Sequence, residues 1–265
     1  MSRDDSAHFV AKWLEAEPWH RLLLVFESQE RRRARQLIEA LGYELRHTAL
    51  DSSDARIVSA KIGWWLDEWR LLAAGTPRHP LTIALAAIAT GPITAQAGSV
   101  WIGAAARLAD DVSDMNLQAR IGRWQVYTQA QAEASMRWLP VAPDEARCHA
   151  AVLLMERIAH AQADLEKGRL PMPLDVMAGQ SLTRMQLAQA GTETDSVWVD
   201  YADRLADTLR PSIVPYPGRY RRAQAALSDL RASWIRRSPQ RTGRQRDRLP
   251  PLRSAFAVWR AFRLP

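Results

Sequence analysis

The run Asp110-Asp111-Val112-Ser113-Asp114 concentrates more potential chemistry than any other stretch of this chain. Carried on a helix, it would set Asp110 and Asp114 on one face and turn Asp111 away by about 100°. Carboxylates so spaced offer the hard oxygen donors that magnesium takes, and magnesium in turn screens a diphosphate. The same pattern also describes a solvated acidic helix end with no ligand. His79, directly before Pro80, is expected to cap or pack against a helix start rather than to catalyse. Asp175 is expected to cap the short helix that follows it. The single cysteine, Cys148, lies in a helical pattern without a CxxC partner and reads as a buried thiol. One cysteine permits no internal disulfide, which suits a reducing compartment. No P-loop, Rossmann glycine fingerprint or nucleophile elbow is present.

The elements that must hold these residues are helices. Nearly every segment between prolines has a helical period, and alternating β-branched runs are missing. Helices are expected over Ser6–Ala16, Trp19–Leu41 with a stop at Gly42, and Ala55–Ala74, with N-cap chemistry at Asp51-Ser52-Ser53-Asp54 before it and Gly75 and Pro77 beyond; Tyr43–Leu50 is ambiguous. Pro80 and Pro92 each suit the first turn of a following helix. Further helices are expected over Leu108–Leu139 with a break, Pro143–Lys167 ended by Gly168, Asp175–Ala178, Thr183–Ala190 and Asp195–Leu209. Pro211, Pro215 and Pro217 make a stiff connection into Arg219–Arg237; Ser238–Pro251 reads as a loop and Leu252–Leu264 as a closing helix. No repeat is visible, so the expected architecture is an all-α bundle in one domain over 1–265, with a basic loop and short helix at 238–265.

Of the 265 residues, 47% are apolar and 25% charged, enough for a sizeable core. Eleven tryptophans call for a roomy apolar interior. The opening Met1-Ser-Arg-Asp-Asp-Ser has no apolar run behind it and is not read as a signal peptide. Leu81 to Ala106 carries no charge, yet Gly91-Pro92 breaks it and five polar residues dilute it, so two buried helices fit better than a membrane span. The net charge of +7 divides unevenly: Arg219–Arg263 holds thirteen Arg and two Asp, a net of +11, which leaves −4 for residues 1–218. A basic tail on a mildly acidic body points to an anionic partner.

Two stretches resemble the squalene/phytoene synthase family. Lys61 to Leu85 (KIGWWLDEWRLLAAGTPRHPLTIAL) is similar to the family's tryptophan-pair segment, with Trp64, Trp65, Glu68, Gly75, Pro77, His79, Pro80 and Leu85 in register. Gly168 to Leu187 (GRLPMPLDVMAGQSLTRMQL) resembles the segment after the second aspartate-rich motif, and Pro251–Arg260 the closing helix. The resemblance implies the isoprenoid synthase fold, helices around a central apolar cavity that takes prenyl chains. It also implies two facing aspartate-rich motifs whose magnesium ions help the diphosphate leave.

Set against those motifs, this chain departs. Counting from Phe26, the first should fall near Arg33 and Ala34, inside Glu30-Arg-Arg-Arg-Ala-Arg35, where positive charge stands instead. Glu27 and Glu30 are candidates for a displaced motif, or else surface partners of that arginine run. The second motif keeps Asp164 but has His160 where its partner aspartate should be, and imidazole suits magnesium poorly. Asp110, Asp111 and Asp114 fall where the family has neither motif, which favours the solvated reading. Trp64 and Trp65 are candidates to line the cavity, with Trp69, Trp101 and Trp124, or to form core, and Arg169 is a candidate for the diphosphate side.

Three functions remain in view. The preferred one is a degenerate, non-catalytic synthase-like protein that binds a prenyl lipid or acts as a membrane-associated scaffold, as assembly factors related to this family do. The second is an active magnesium-dependent prenyltransferase condensing isoprenoid diphosphates with Asp110, Asp111, Asp114 and Asp164; only this one needs Mg2+. The third is a nucleic-acid binder. Against it, Trp234, Ile235, Phe256, Trp259 and Phe262 interleave the tail's arginines, a mixture suited to an anionic membrane. A protein partner, and a cytoplasmic location at the inner face of the membrane, complete the expectations.

Overall fold

In the computed structural model of the protein, residues 5–110, 113–139, 145–189, 192–209, 219–237 and 249–263 are described. Their regular elements are all helical, with no strand among the described residues. They form two compact units, each made from two stretches of chain: Met1–Asp110 with Val126–Pro143, and Asp111–Gln125 with Asp144–Pro265.

The first unit opens with α1 (Asp5–Ala16), α2 (His20–Leu24), α3 (Gln29–Leu50), α4 (Ala55–Ala73), α5 (Pro80–Ala87) and α6 (Ala95–Ala106), then a 3-10 turn at Arg107–Ala109. The expected helix Trp19–Leu41 is two helices, because Ser28 leaves helical dihedrals (φ −59°, ψ 155°) and its hydroxyl accepts from Arg31 N–H. From that cap α3 runs through Gly42, where a stop was expected, and takes in the ambiguous segment up to Leu50. The reason is packing against α7 (Leu117–Ser135). A β-carbon at position 42 would lie 3.0 Å from Gln131 Nε2 and 3.3 Å from the Tyr127 hydroxyl. That hydroxyl donates to Gly42 O at 2.9 Å.

Other signals act as expected. Asp54 Oδ1 accepts from Arg56 N–H at 2.8 Å to start α4, and Gly75, at φ +80°, follows its end. His79 Nδ1 accepts from Leu81 N–H at 3.2 Å while Pro80 opens α5. The uncharged stretch lies on α5 and α6, although Pro92 stays in the turn ahead of α6. No helix among the described residues is long and apolar enough to cross a membrane. In the core, Trp69 stands edge-on to Trp101 (5.9 Å, 84°) and Trp138 (6.5 Å, 87°). Gly98 makes that possible, since a β-carbon there would sit 2.0 Å from Trp69 Nε1.

The second unit takes in residues 117–125 of α7, then α8 (Glu145–Arg157), a 3-10 turn at Ile158–His160, α9 (Ala161–Glu166), α10 (Leu174–Gly179), α11 (Arg184–Ala188), α12 (Thr192–Thr208), α13 (Arg219–Arg237) and α14 (Pro251–Arg263). The expected helix up to Lys167 is thus interrupted by the 3-10 turn. α8 packs on α12 and α13, and α13 on α14; Cys148 is buried on α8. Gly168, at φ +82°, ends α9, with its N–H on Leu165 O (3.0 Å) and Arg169 N–H on Asp164 O (2.8 Å). Pro173, not Asp175, occupies the cap position of α10, and the Asp175 carboxylate instead pairs with Arg204 at 3.4 Å. Thr183 and Gln186 form a reciprocal capping box at α11. The connection at Pro211, Pro215 and Pro217, residues 238–248 of the expected loop, and Asp111 lie outside the described residues.

Candidate functional site

Asn116 sets the geometry of a charged cluster in the second unit. Its Oδ1 accepts from Ala119 N–H at 2.9 Å, which starts α7 and leaves Asp110 and Asp114 outside it. The aspartate run therefore does not lie along one helix. Asp110 is exposed after the 3-10 turn, while Asp114 is buried just ahead of α7. The proline-rich segment holds Asp114 there, as Leu174 N–H donates to Asp114 O at 2.9 Å and Asp175 N–H to Met115 O at 3.0 Å.

One turn into α7, Arg120 and Arg123 point back at this carboxylate. Arg123 clamps it with Nε on Oδ1 (3.1 Å) and Nη2 on Oδ2 (2.7 Å). Arg120 Nη1 adds a contact to Oδ2 at 3.3 Å, and its Nη2 donates to Leu170 O at 3.1 Å. Asp164, buried on α9, is clamped in the same way by Arg157, with Nε on Oδ2 at 2.9 Å and Nη2 on Oδ1. The charges of Asp114 and Asp164 are both felt at the buried Tyr201. Burial raises that phenol above its ordinary range; Arg120 opposes the shift by charge and hydrogen bond, and both aspartates reinforce it.

Magnesium fits this set poorly. Two carboxylates face three guanidinium groups, a net positive charge before any dication enters. The acid oxygens already accept N–H groups in forked geometry, whereas octahedral magnesium needs their lone pairs. His160, half-buried, closes the 3-10 turn ahead of α9 and puts no carboxylate beside Asp164. Arg169 is half-buried, with its backbone tied to Asp164.

In the first unit, the position expected for the first motif holds Arg33, which donates to Ser6 Oγ at 2.8 Å. Glu27 lies before the cap of α3, so it shares no helix turn with Glu30, and it pairs with Arg31 (3.4 Å) and Arg35 (3.6 Å). Glu30 is exposed. The tryptophan pair divides: Trp65 is buried and donates to Thr48 Oγ1 at 3.2 Å, whereas Trp64 is 48% exposed. Both set ring edges against His79 (5.7 and 4.9 Å). Burial lowers the His79 pKa, against the charges of Glu68 and Glu44.

Two buried acids of this unit carry more structure than their spacing foretold. Glu68 Oε1 accepts from Arg78 N–H and His79 N–H, both at 2.9 Å, and from the Thr82 hydroxyl. Glu17 accepts from Trp13 Nε1 (2.8 Å), and pairs with His20 Nε2 (3.1 Å) and Arg46 Nη2 (3.3 Å). Burial works against its charge but is outweighed by the hydrogen bond from His20 and the charge of Arg46, which lower its pKa to about 2. Burial also lowers the pKa of His20, against the pull of Glu17. Sequence held no signal for this web, because Trp13, His20 and Arg46 come from three different helices.

No protein-family model matches the sequence, and neither does any curated protein. Among solved structures, the crystal structure of a dehydrosqualene synthase in complex with ligand superposes with a TM-score of 0.74, over 97% of this chain and 95% of that one, at 13% identity. The chain therefore has the all-α isoprenoid synthase fold.

Proposed function

We propose that this protein keeps the fold of a squalene/phytoene-type synthase without its magnesium-dependent ionisation, and that it binds a prenyl lipid or serves as a scaffold for a protein partner. One observation carries the reading: the buried Asp114 and Asp164 are each held in an arginine fork. An allylic diphosphate leaves only when cations neutralise the departing charge, and those cations need oxygens with free lone pairs. Opening both forks to admit them would strand the buried Arg120 and the half-buried Arg123 and Arg157, at a cost of a few kcal/mol.

Asp114 and Asp164 both act by charge on Tyr201, and that supports the competing reading of an active prenyltransferase with relocated carboxylates. One assay separates the two. Purified protein incubated with farnesyl or geranylgeranyl diphosphate and Mg2+ is expected to release no pyrophosphate above the buffer rate, while a prenylated lipid co-extracts with the protein and is identified by mass spectrometry. Pyrophosphate release that EDTA abolishes would overturn the non-catalytic reading.

A further inference from the structure

α14 buries one face and leaves its opposite face unusual for a surface. Ser254, Val258 and Ala261 point inward, and α14 packs on α13. Successive residues turn by about 100° on a helix, so Leu252, Phe256, Trp259 and Arg263 lie within one sector on the far side. Leu252 is 86% exposed, Phe256 62% and Trp259 41%. The two rings stack at 5.8 Å, and the Arg263 guanidinium sits 4.9 Å from the centre of the Trp259 ring. Arg253 and Arg260, also exposed, line one edge of the apolar stripe, and the helix contains no acid.

A stripe of Leu, Phe and Trp edged by arginine is costly against water. It matches a boundary where acyl chains begin beneath anionic headgroups: the rings sink below the phosphates and the arginines remain among them. Phosphates along a nucleic acid would satisfy the arginines but leave the stripe in water. A protein groove would bury the stripe without needing three cations around it. We infer that the outward face of α14 docks the protein on an anionic lipid bilayer, lying in its interface rather than crossing it. This goes beyond the function proposed above and does not depend on it, since turnover of a diphosphate would refute that function and leave this surface unchanged.

Flotation of the full chain with vesicles tests it, using phosphatidylcholine and phosphatidylglycerol mixed about seven to three, against phosphatidylcholine alone. Binding is expected to the anionic vesicles only and to weaken as salt rises. Two triple variants, Leu252→Ser/Phe256→Ser/Trp259→Ser and Arg253→Gln/Arg260→Gln/Arg263→Gln, should each weaken it by about tenfold or more. Both should keep the parent's melting temperature, because the six side chains are exposed. Equal binding to neutral vesicles, or retention of binding by either variant, would overturn the inference. So would tighter binding to duplex DNA that survives loss of the stripe, or light scattering in which the parent is a dimer and the stripe variant a monomer.

Discussion

Glu17 shows how far a local environment can invert an intrinsic tendency. Burial alone would make this carboxyl neutral, yet three donors from separate helices hold it ionised, with its pKa lowered to about 2. Glu17→Gln removes the charge but leaves Arg46 buried opposite it, so a loss of about 3 kcal/mol is expected in urea unfolding. The pH dependence follows from the two linked groups. The depressed pKa of Glu17 contributes stability above 4.5 that is lost as pH falls towards 2. His20 stays neutral in the fold while the unfolded chain takes up a proton below 6.5, which also favours unfolding in acid. The melting temperature should therefore decline steadily from pH 6.5 downwards, and Glu17→Gln should flatten the part below pH 4.5. Gly98 is the other residue with a sharp expectation. Its missing β-carbon makes room for the Trp69 indole, so Gly98→Ala should cost about 3 kcal/mol or prevent folding. Adding Trp69→Leu should restore part of that stability.

At the scale of elements, the junction between α4 and α5 is the best determined. Gly75 closes α4 with a positive φ, and Glu68 reaches from the last turns of α4 to the two backbone N–H groups that open α5. The acid of the tryptophan-pair segment thus acts as a brace between helices. Glu68→Gln keeps the shape but loses the charge that strengthens those hydrogen bonds; a destabilisation of about 2 kcal/mol is expected, read by denaturant titration. The second segment of resemblance does similar work. Gly168 terminates α9 beside Asp164, and the residues after Pro173 pin the backbone at Asp114. Residues of both segments thus have architectural roles of their own.

For the whole molecule, a likeness at 13% identity over nearly the full chain means that the helix plan tolerates almost complete replacement of its side chains. The proposed function makes a direct thermodynamic statement about that plan. A ligand that binds only the folded state raises the melting temperature by mass action. Magnesium with farnesyl diphosphate should shift it by less than about 1 °C, because Asp114 and Asp164 are both engaged by arginine; a larger shift that needs both components would contradict the arginine-fork argument.

Much of the helix plan was legible before any coordinates. The caps at Asp54 and His79 and the closures at Gly75 and Gly168 depend on residues within a turn or two, and local sequence carries that information. Where expectation failed, a distant residue decided. Gly42 reads as a stop until Tyr127 packs against it, and Asp110 to Asp114 reads as one helical face until Asn116 starts α7 beyond it. Periodicity alone determined that the chain is helical, and its resemblance placed Arg33 and His160 where clustered acids are expected. Only tertiary structure decided which cations the remaining acids hold, because an ion pair forms between side chains that the fold, and not their order along the chain, brings within reach.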